Sequence, residues 1–222
     1  MHGDAPEAAR FARTSDVDYE PISVPIPIQP MLLGVTEAPF NDVDFLCDLK
    51  WDGHRAIVDV ADAGVRVWTR TGREISRAHP ELQHLRELVD QPMLLDAELC
   101  VIGDDGRPRF DLMRRRDTVH TIAAFDVLRL GTRWLLDEPL YLRRELLAEH
   151  ATDGPSLLLC RWFPDAVALF DECEAREIEG LVLKRRSSKY RSGRTKDWLK
   201  CKTSYGRRIT AERMKRSGRV IA

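Results

Sequence analysis

Short apolar runs, separated by turn residues, set what this chain can fold into. FLCDLK (45–50), RAIVDV (55–60) and VRVWTR (65–70) read as strands, the last two joined near Ala63-Gly64. Each is rich in β-branched and apolar residues and has strand-like alternation. MLLDAELCVI (93–102), followed by a DDG turn at 104–106, reads the same way, as do TIAAFDVLRL (121–130), LLLCRWF (157–163), GLVLKR (180–185) and DWLKCK (197–202). HPELQHLRELV (79–89), EPLYLRRELLAEH (138–150) and PDAVALFDECEAREI (164–178) carry helical spacing. ISVPIPIQP (22–30) is proline-studded and expected to be extended. Strands interleaved with helices predict an α+β fold with antiparallel or mixed sheets flanked by helices.

A chain of 222 residues, 43% of them apolar, has room for one large domain with a substantial core. No apolar run reaches the roughly 18 residues that span a bilayer. The N-terminus MHGDAPEAARFARTSD lacks an apolar signal core, so neither a membrane nor a secreted protein is indicated. Cys47, Cys100, Cys160, Cys173 and Cys201 form no CxxC pair and read as reduced thiols of a cytosolic protein. The net charge of −1 conceals an asymmetry: Lys184 to Arg219 holds 15 Lys and Arg against two acids. That basic stretch suits a phosphate-rich partner, and a solvated charged face would explain it equally well.

Five pieces carry residues suited to chemistry. In Lys50-Trp51-Asp52-Gly53-His54-Arg55, a lysine ends an apolar strand, a DG turn follows, and an arginine opens the next strand. A glycine tolerating φ > 0 would close a hairpin with Lys50 at its mouth. A lysine amine is a nucleophile only when deprotonated; a solvated lysine on a surface hairpin is the plainer reading. In Asp96-Ala97-Glu98, strand alternation puts both acids on one face, where they could share a metal or simply reach solvent. Phe125 is expected to share a face with Ala123 and Val127, as a core residue or as a ring that stacks on a base. Glu179-Gly180-Leu181-Val182-Leu183-Lys184 brackets an apolar strand with charge. Trp198-Leu199-Lys200-Cys201-Lys202 puts two lysines on one face, suited to a phosphate or to protecting a sheet edge.

Taken in order, Lys50, Glu98, Phe125, Glu179 and Lys200/Lys202 resemble the successive motifs of the covalent nucleotidyltransferase superfamily, which holds ATP-dependent DNA ligases, RNA ligases and mRNA-capping guanylyltransferases. The resemblance runs from about Pro30 to Lys202. LKWDGHR, RTGREIS, LLDAELCV, AAFDVL, EGLVLKRRSSKYRSGR and DWLKCK are most similar to bacterial ATP-dependent DNA ligases of the end-joining type. It implies an ATP-grasp-like adenylation domain over 21–202, after a flexible segment (1–20) and before a basic tail (203–222).

The resemblance also implies roles. Lys50 would attack the α-phosphate of ATP and keep AMP, with nearby cations favouring its neutral form. Asp48, where glutamate is commoner, would read the adenine amino group. Arg55 would contact the ribose side, Arg70 the ribose or the nick phosphate, and Glu98 the ribose. Phe125 would stack on adenine. Glu179, with Glu98, would hold Mg²⁺ or Mn²⁺. Lys184 and Lys200 would contact the α-phosphate, with Lys202 beside them. Ala97 replaces the glycine usual in its motif, with little harm expected.

Such ligases usually continue into an OB-fold domain that clamps DNA. Only 20 residues follow Lys202 here, so no OB-fold domain is expected in this chain. The implied substrate is nicked duplex DNA, with the tail residues Arg207, Arg208, Arg213, Lys215, Arg216 and Arg219 as phosphate contacts, or with an OB-fold or end-joining partner protein supplying the clamp. The implied place is the cytoplasm, at the nucleoid. RNA ligation, guanylyl transfer and a non-catalytic DNA- or nucleotide-binding module remain alternatives.

Overall fold

The computed structural model describes residues 27–115 and 117–216. The expectations for residues 1–20, for 22–26 and for Arg219 lie outside them. Eleven strands form two sheets among the described residues. One sheet has the order β1 (Met31–Val35), β11 (Gly193–Lys202), β10 (Gly180–Arg185), β2 (Phe45–Leu49), β9 (Trp162–Phe163). Its β1–β11 pair is parallel and the rest are antiparallel. The other has the order β4 (Gly64–Thr69), β3 (His54–Ala61), β5 (Met93–Cys100), β6 (Thr121–Leu130), β7 (Arg133–Trp134), with β8 (Leu157–Leu159) parallel to β6. Both sheets are therefore mixed or antiparallel, as the sequence predicts. Three helices join them: α1 (Leu140–His150), α2 (Ala166–Ala175) and α3 (Ser204–Arg216).

The apolar pattern sorts into three cores. Leu46, Met31 and Trp198 from the first sheet meet Ile57, Leu94 and Phe125 from the second, so this core lies between the sheets. Val58, Leu95, Ala124 and Leu147 form a second core beneath the outer face of the second sheet. Cys47, Ala166, Leu181 and Leu183 form a third between the first sheet and α2. Asp165 caps α2 by accepting from Ala168 N at 3.0 Å. The five cysteines are all buried and unpaired, and burial pushes the Cys47 and Cys100 thiols up to about 12. No helix among the described residues is long and apolar enough to cross a membrane.

Four differences from the sequence reading matter for the site. Lys50 does not sit on a hairpin: β2 and β3 belong to different sheets, and Lys50–Gly53 carries the chain across. Gly53 does not need a positive φ. A Cβ there would lie 2.2 Å from the Leu99 carbonyl oxygen, so only glycine lets the crossing pass against β5. Phe125 shares the inter-sheet core with Ala123, but Val127 falls on the opposite face. The β5–β6 register steps from Asp96↔Asp126 to Ala97↔Ala124, leaving Phe125 as an extra residue in a bulge, which turns Val127 to the other face. The 79–89 stretch is a 3-10 helix over Pro80–Leu88. Leu82, Leu85 and Leu88 pack on the core at a three-residue spacing that suits the tighter helix.

The sequence missed one structural device. Arg143 of α1 is fully buried and donates from Nε and Nη2 to the two carboxylate oxygens of Asp126 at 2.8 and 2.7 Å. It also donates to the backbone oxygens of Glu138 and Ser188, at 2.6 and 3.0 Å. These four bonds use four of the five hydrogens of the guanidinium, and its fork shape supplies them in one plane.

Candidate active site

Strand pleating explains how the charges gather. On β10 and β11 the pairs Gly180↔Lys202, Val182↔Lys200 and Lys184↔Trp198 share one face. On β2, Asp48 pairs with Val182, and Lys50 N donates to Gly180 O at 2.9 Å, which brings both onto that face. Across the cleft, β3 and β5 pair Arg55 with Glu98, and Glu98 lies opposite Ala123 on β6. A small cavity of about 50 Å³ lies between, lined by Asp48, Lys50, Arg55, Glu98, Phe125 and Lys184 among others.

Two charge clusters divide this cavity. In the first, Glu179 bridges two lysines, 2.7 Å from Lys50 Nζ and 2.7 Å from Lys202 Nζ. Burial alone would push Glu179 up, but Lys50 and Lys202 hold it below the usual carboxylate range. Lys200 stands beside them, its ammonium pulled down by burial and then by Lys202 and Lys50. In the second, Asp48 is buried and accepts from Lys184 at 2.6 Å and from Arg144 at 2.9 and 2.7 Å. Burial lowers Lys184 and Asp48 opposes it. The sequence reading groups Lys184 with Lys200 on one phosphate, with Lys202 beside them. The structure commits Lys184 to Asp48 and leaves Lys202 with Glu179.

The opposite wall is Arg55, held by Asp96 at 2.5 and 2.6 Å. Burial opposes the charge on Arg55, and Asp96 more than offsets it. Tyr190 donates to the same carboxylate at 2.6 Å, so Asp96 is occupied and Glu98 is the acid of that strand left facing the cleft. Lys184 and Arg55 both stand over the Phe125 ring, 4.2 and 4.6 Å from its centroid. Glu179 adds to the cost of charge on Glu98, and two carboxylates with only oxygen donors suit a hard divalent cation such as Mg²⁺.

Glu98 is pushed up to about 7, first by burial, with Glu179 and Asp52 adding to it. A carboxyl raised from 4.5 in the unfolded chain is protonated preferentially in the folded one between those values. Its stabilisation is complete below pH 4.5 and disappears as pH rises through about 7, a swing of roughly 3 kcal/mol. In protein without added divalent metal, the wild-type melting temperature should fall more between pH 5 and 8 than that of Glu98→Gln; parallel profiles would remove this assignment.

Arg70 lies apart, in an open cleft of about 450 Å³ that it lines with Arg55, Arg73 and Glu98. The tail is helix α3, and its basic residues divide. Arg213 is half-buried, donates to both oxygens of Asp52 at 2.8 and 2.7 Å, and lies 3.7 Å above the Phe110 ring. Arg208 pairs with Glu177, Arg207 donates to Lys202 O, and Lys215 and Arg216 are exposed. Sequence reasoning missed Asp52, Arg144, Tyr190 and Trp198, whose partners are distant in the chain. A larger cavity of about 510 Å³ shares no lining residue with the site, although Arg144 in its wall grips Asp48. The reactive groups converge on the smaller one.

A lysine on a sheet-to-sheet crossing, facing two carboxylates and several cations between two mixed sheets, defines a mixed α+β nucleotidyltransferase-type domain. Comparison with known proteins narrows the class. Residues 30–202 match the ATP dependent DNA ligase domain, and the chain belongs to that family, as an adenylation domain of the bacterial end-joining ligase type. It is 37% identical over 158 residues to the multifunctional non-homologous end joining protein LigD of Mycobacterium bovis, covering 69% of this chain and 21% of that one. The solved ligase domain of M. tuberculosis LigD superposes with a TM-score of 0.70 at 32% identity, over 78% of this chain and 58% of that one. A mycobacterial DNA ligase D complexed with ATP and MES gives 0.68 at 31% identity, over 78% and 59%. The chain therefore spans about a fifth of the length of its curated relative and under three fifths of those solved chains.

Proposed function

We propose that this chain is the adenylating catalytic domain of a DNA ligase, with two sheets arranged in the ATP-grasp manner around ATP. The observation that carries this reading is Lys50 on the inter-sheet crossing, 2.7 Å from Glu179 and facing Glu98 and Arg55. Lys50 Nζ attacks the α-phosphorus of ATP, a P–N bond forms, and the bond to pyrophosphate breaks. The nitrogen sheds two protons in this step: the ammonium proton passes to its hydrogen-bonded neighbour, Glu179 Oε2, before the attack, and the second leaves with the departing pyrophosphate. Lys200 and Lys202 offset charge at the phosphate, where positioning and neutralisation supply most of the rate. Glu98 and Glu179 are the residues that would hold Mg²⁺, which when bound supplies further neutralisation of phosphate charge.

The base is assigned to Phe125, with Asp48 as its polar reader. Because Lys184 and Arg55 now cover that ring, a stacked purine has to displace at least one of them. The nicked duplex is assigned to the cleft around Arg70 and to the exposed basic residues of α3. AMP then passes to a DNA 5′-phosphate, and the adjacent 3′-hydroxyl expels it. A partner bearing an OB-fold or an end-joining function would clamp the duplex at the nucleoid.

The test is incubation of the chain with Mg²⁺ and ATP labelled at the α-phosphate, followed by nicked duplex. Label on the denatured protein, discharged by the duplex with joined strands, is the expected outcome. ATP binding without covalent label would make this a binding module, and discharge only to RNA would redirect the substrate.

A further inference from the structure

A second cluster of metal-ligating side chains lies outside this site. His79, at the junction of two 3-10 segments, and Glu81, at the start of the second, meet His120, which immediately precedes β6. One ligand atom from each lies within 4.8 Å of the others. His79 Nδ1 and His120 Nδ1 both point at the same oxygen, Glu81 Oε1, each at 3.4 Å. Tetrahedral zinc with bonds of about 2.0–2.2 Å places its ligand atoms roughly 3.4 Å apart. The two spacings to Glu81 match that edge.

The hydrogen bonding of His120 makes the case stronger. Its Nε2 lies 3.4 Å from the Met113 carbonyl oxygen, which can only accept, so Nε2 carries the hydrogen. In the neutral ring, Nδ1 then presents a lone pair to the Glu81 carboxylate. Two lone pairs at that distance repel unless a cation stands between them. An imidazole whose second nitrogen donates to a backbone carbonyl is the usual arrangement around a metal-bound histidine. His120 is buried, His79 nearly so, and Glu81 is 28% exposed, so an ion held here would keep one position open to solvent.

We infer that His79, Glu81 and His120 form a site for a divalent transition-metal ion of the zinc type, separate from the catalytic carboxylates. Two imidazoles and one carboxylate suit zinc and disfavour Mg²⁺. Its effect would be mechanical. It would fasten the start of β6, the strand that carries Phe125, to the 3-10 helix beneath the second sheet.

The experiment is titration of the full chain with Zn²⁺ in a large excess of Mg²⁺, which occupies oxygen-only sites, read by calorimetry and by X-ray absorption at the zinc edge. The expected result is one equivalent of zinc with two imidazole ligands, a raised melting temperature, and affinity weakened at least about tenfold in each of His79→Asn and Glu81→Gln. His120→Ala should do the same; because that residue is buried, the two more accessible variants decide the matter if it fails to fold. Zinc binding that is absent, or undiminished in His79→Asn and Glu81→Gln, would overturn the assignment and leave a proton as the cation between His120 and Glu81.

Discussion

Lys50→Arg is expected to leave no adenylate on the protein, with labelling at least about 10⁴-fold below wild type. Arginine keeps the positive charge and can keep the pair that Lys50 makes with Glu179 at 2.7 Å. It cannot supply a neutral amine, because a guanidinium does not lose its proton in proteins. The substitution therefore separates the nucleophile from the charge. Lys202→Arg is the companion: it also faces Glu179, at 2.7 Å, but its proposed part is electrostatic, so arginine should retain most of the activity. Gel analysis of protein denatured after exposure to α-labelled ATP and Mg²⁺ reads both. Undiminished label on Lys50→Arg would place the adduct on another lysine, with Lys202, which shares Glu179, and Lys200 as the alternatives.

Arg143→Met is expected to destabilise the fold by about 3–5 kcal/mol, because it strands a buried carboxylate. Asp126 is 0% exposed and has Arg143 as its forked partner, and the Glu138 and Ser188 carbonyls lose a donor at the same time. For a domain of this size, that lowers the melting temperature on the order of 10 °C. The double variant Arg143→Met/Asp126→Leu should recover much of the loss, since removing both charges leaves no unpaired ion. Urea and thermal unfolding of the three proteins test this. A double variant as unstable as the single one would assign the loss to the two carbonyls and the packing around them.

The elements of this fold were legible where one physical signal dominated. Period-two alternation located β3, β5, β6 and β10, and it put Lys200 and Lys202 on one face. What alternation could not give was which sheet a strand joins. LLLCRWF reads as one strand, yet β8 pairs with β6 in the second sheet and β9 with β2 in the first. The same limit turned the Lys50–Gly53 crossing into an expected hairpin. Bulges are equally silent in a single sequence, so Val127 was expected beside Phe125. The order of Lys50, Glu98, Phe125, Glu179 and Lys200 located the site, because that chemistry fixes residue types in register. The long-range partners Arg144 and Tyr190 carried no local pattern.

Helix α3 touches the site along one stripe. Gly206 packs so closely that a Cβ would lie 2.0 Å from Glu179 O, Thr210 accepts from Lys202 at 2.5 Å, and Arg213 grips Asp52. Those positions are spaced four and three apart, which is one face of a helix. Arg207, Arg208 and Lys215 lie off that stripe. The helix thus has an inner side that touches Glu179, Lys202 and Asp52 and an outer side that offers positive charge. Thermodynamic reciprocity then applies to any anionic polymer that shifts the helix on binding. The factor by which it alters nucleotide affinity equals the factor by which nucleotide alters its own. Two titrations, one run in each order, would return one coupling constant.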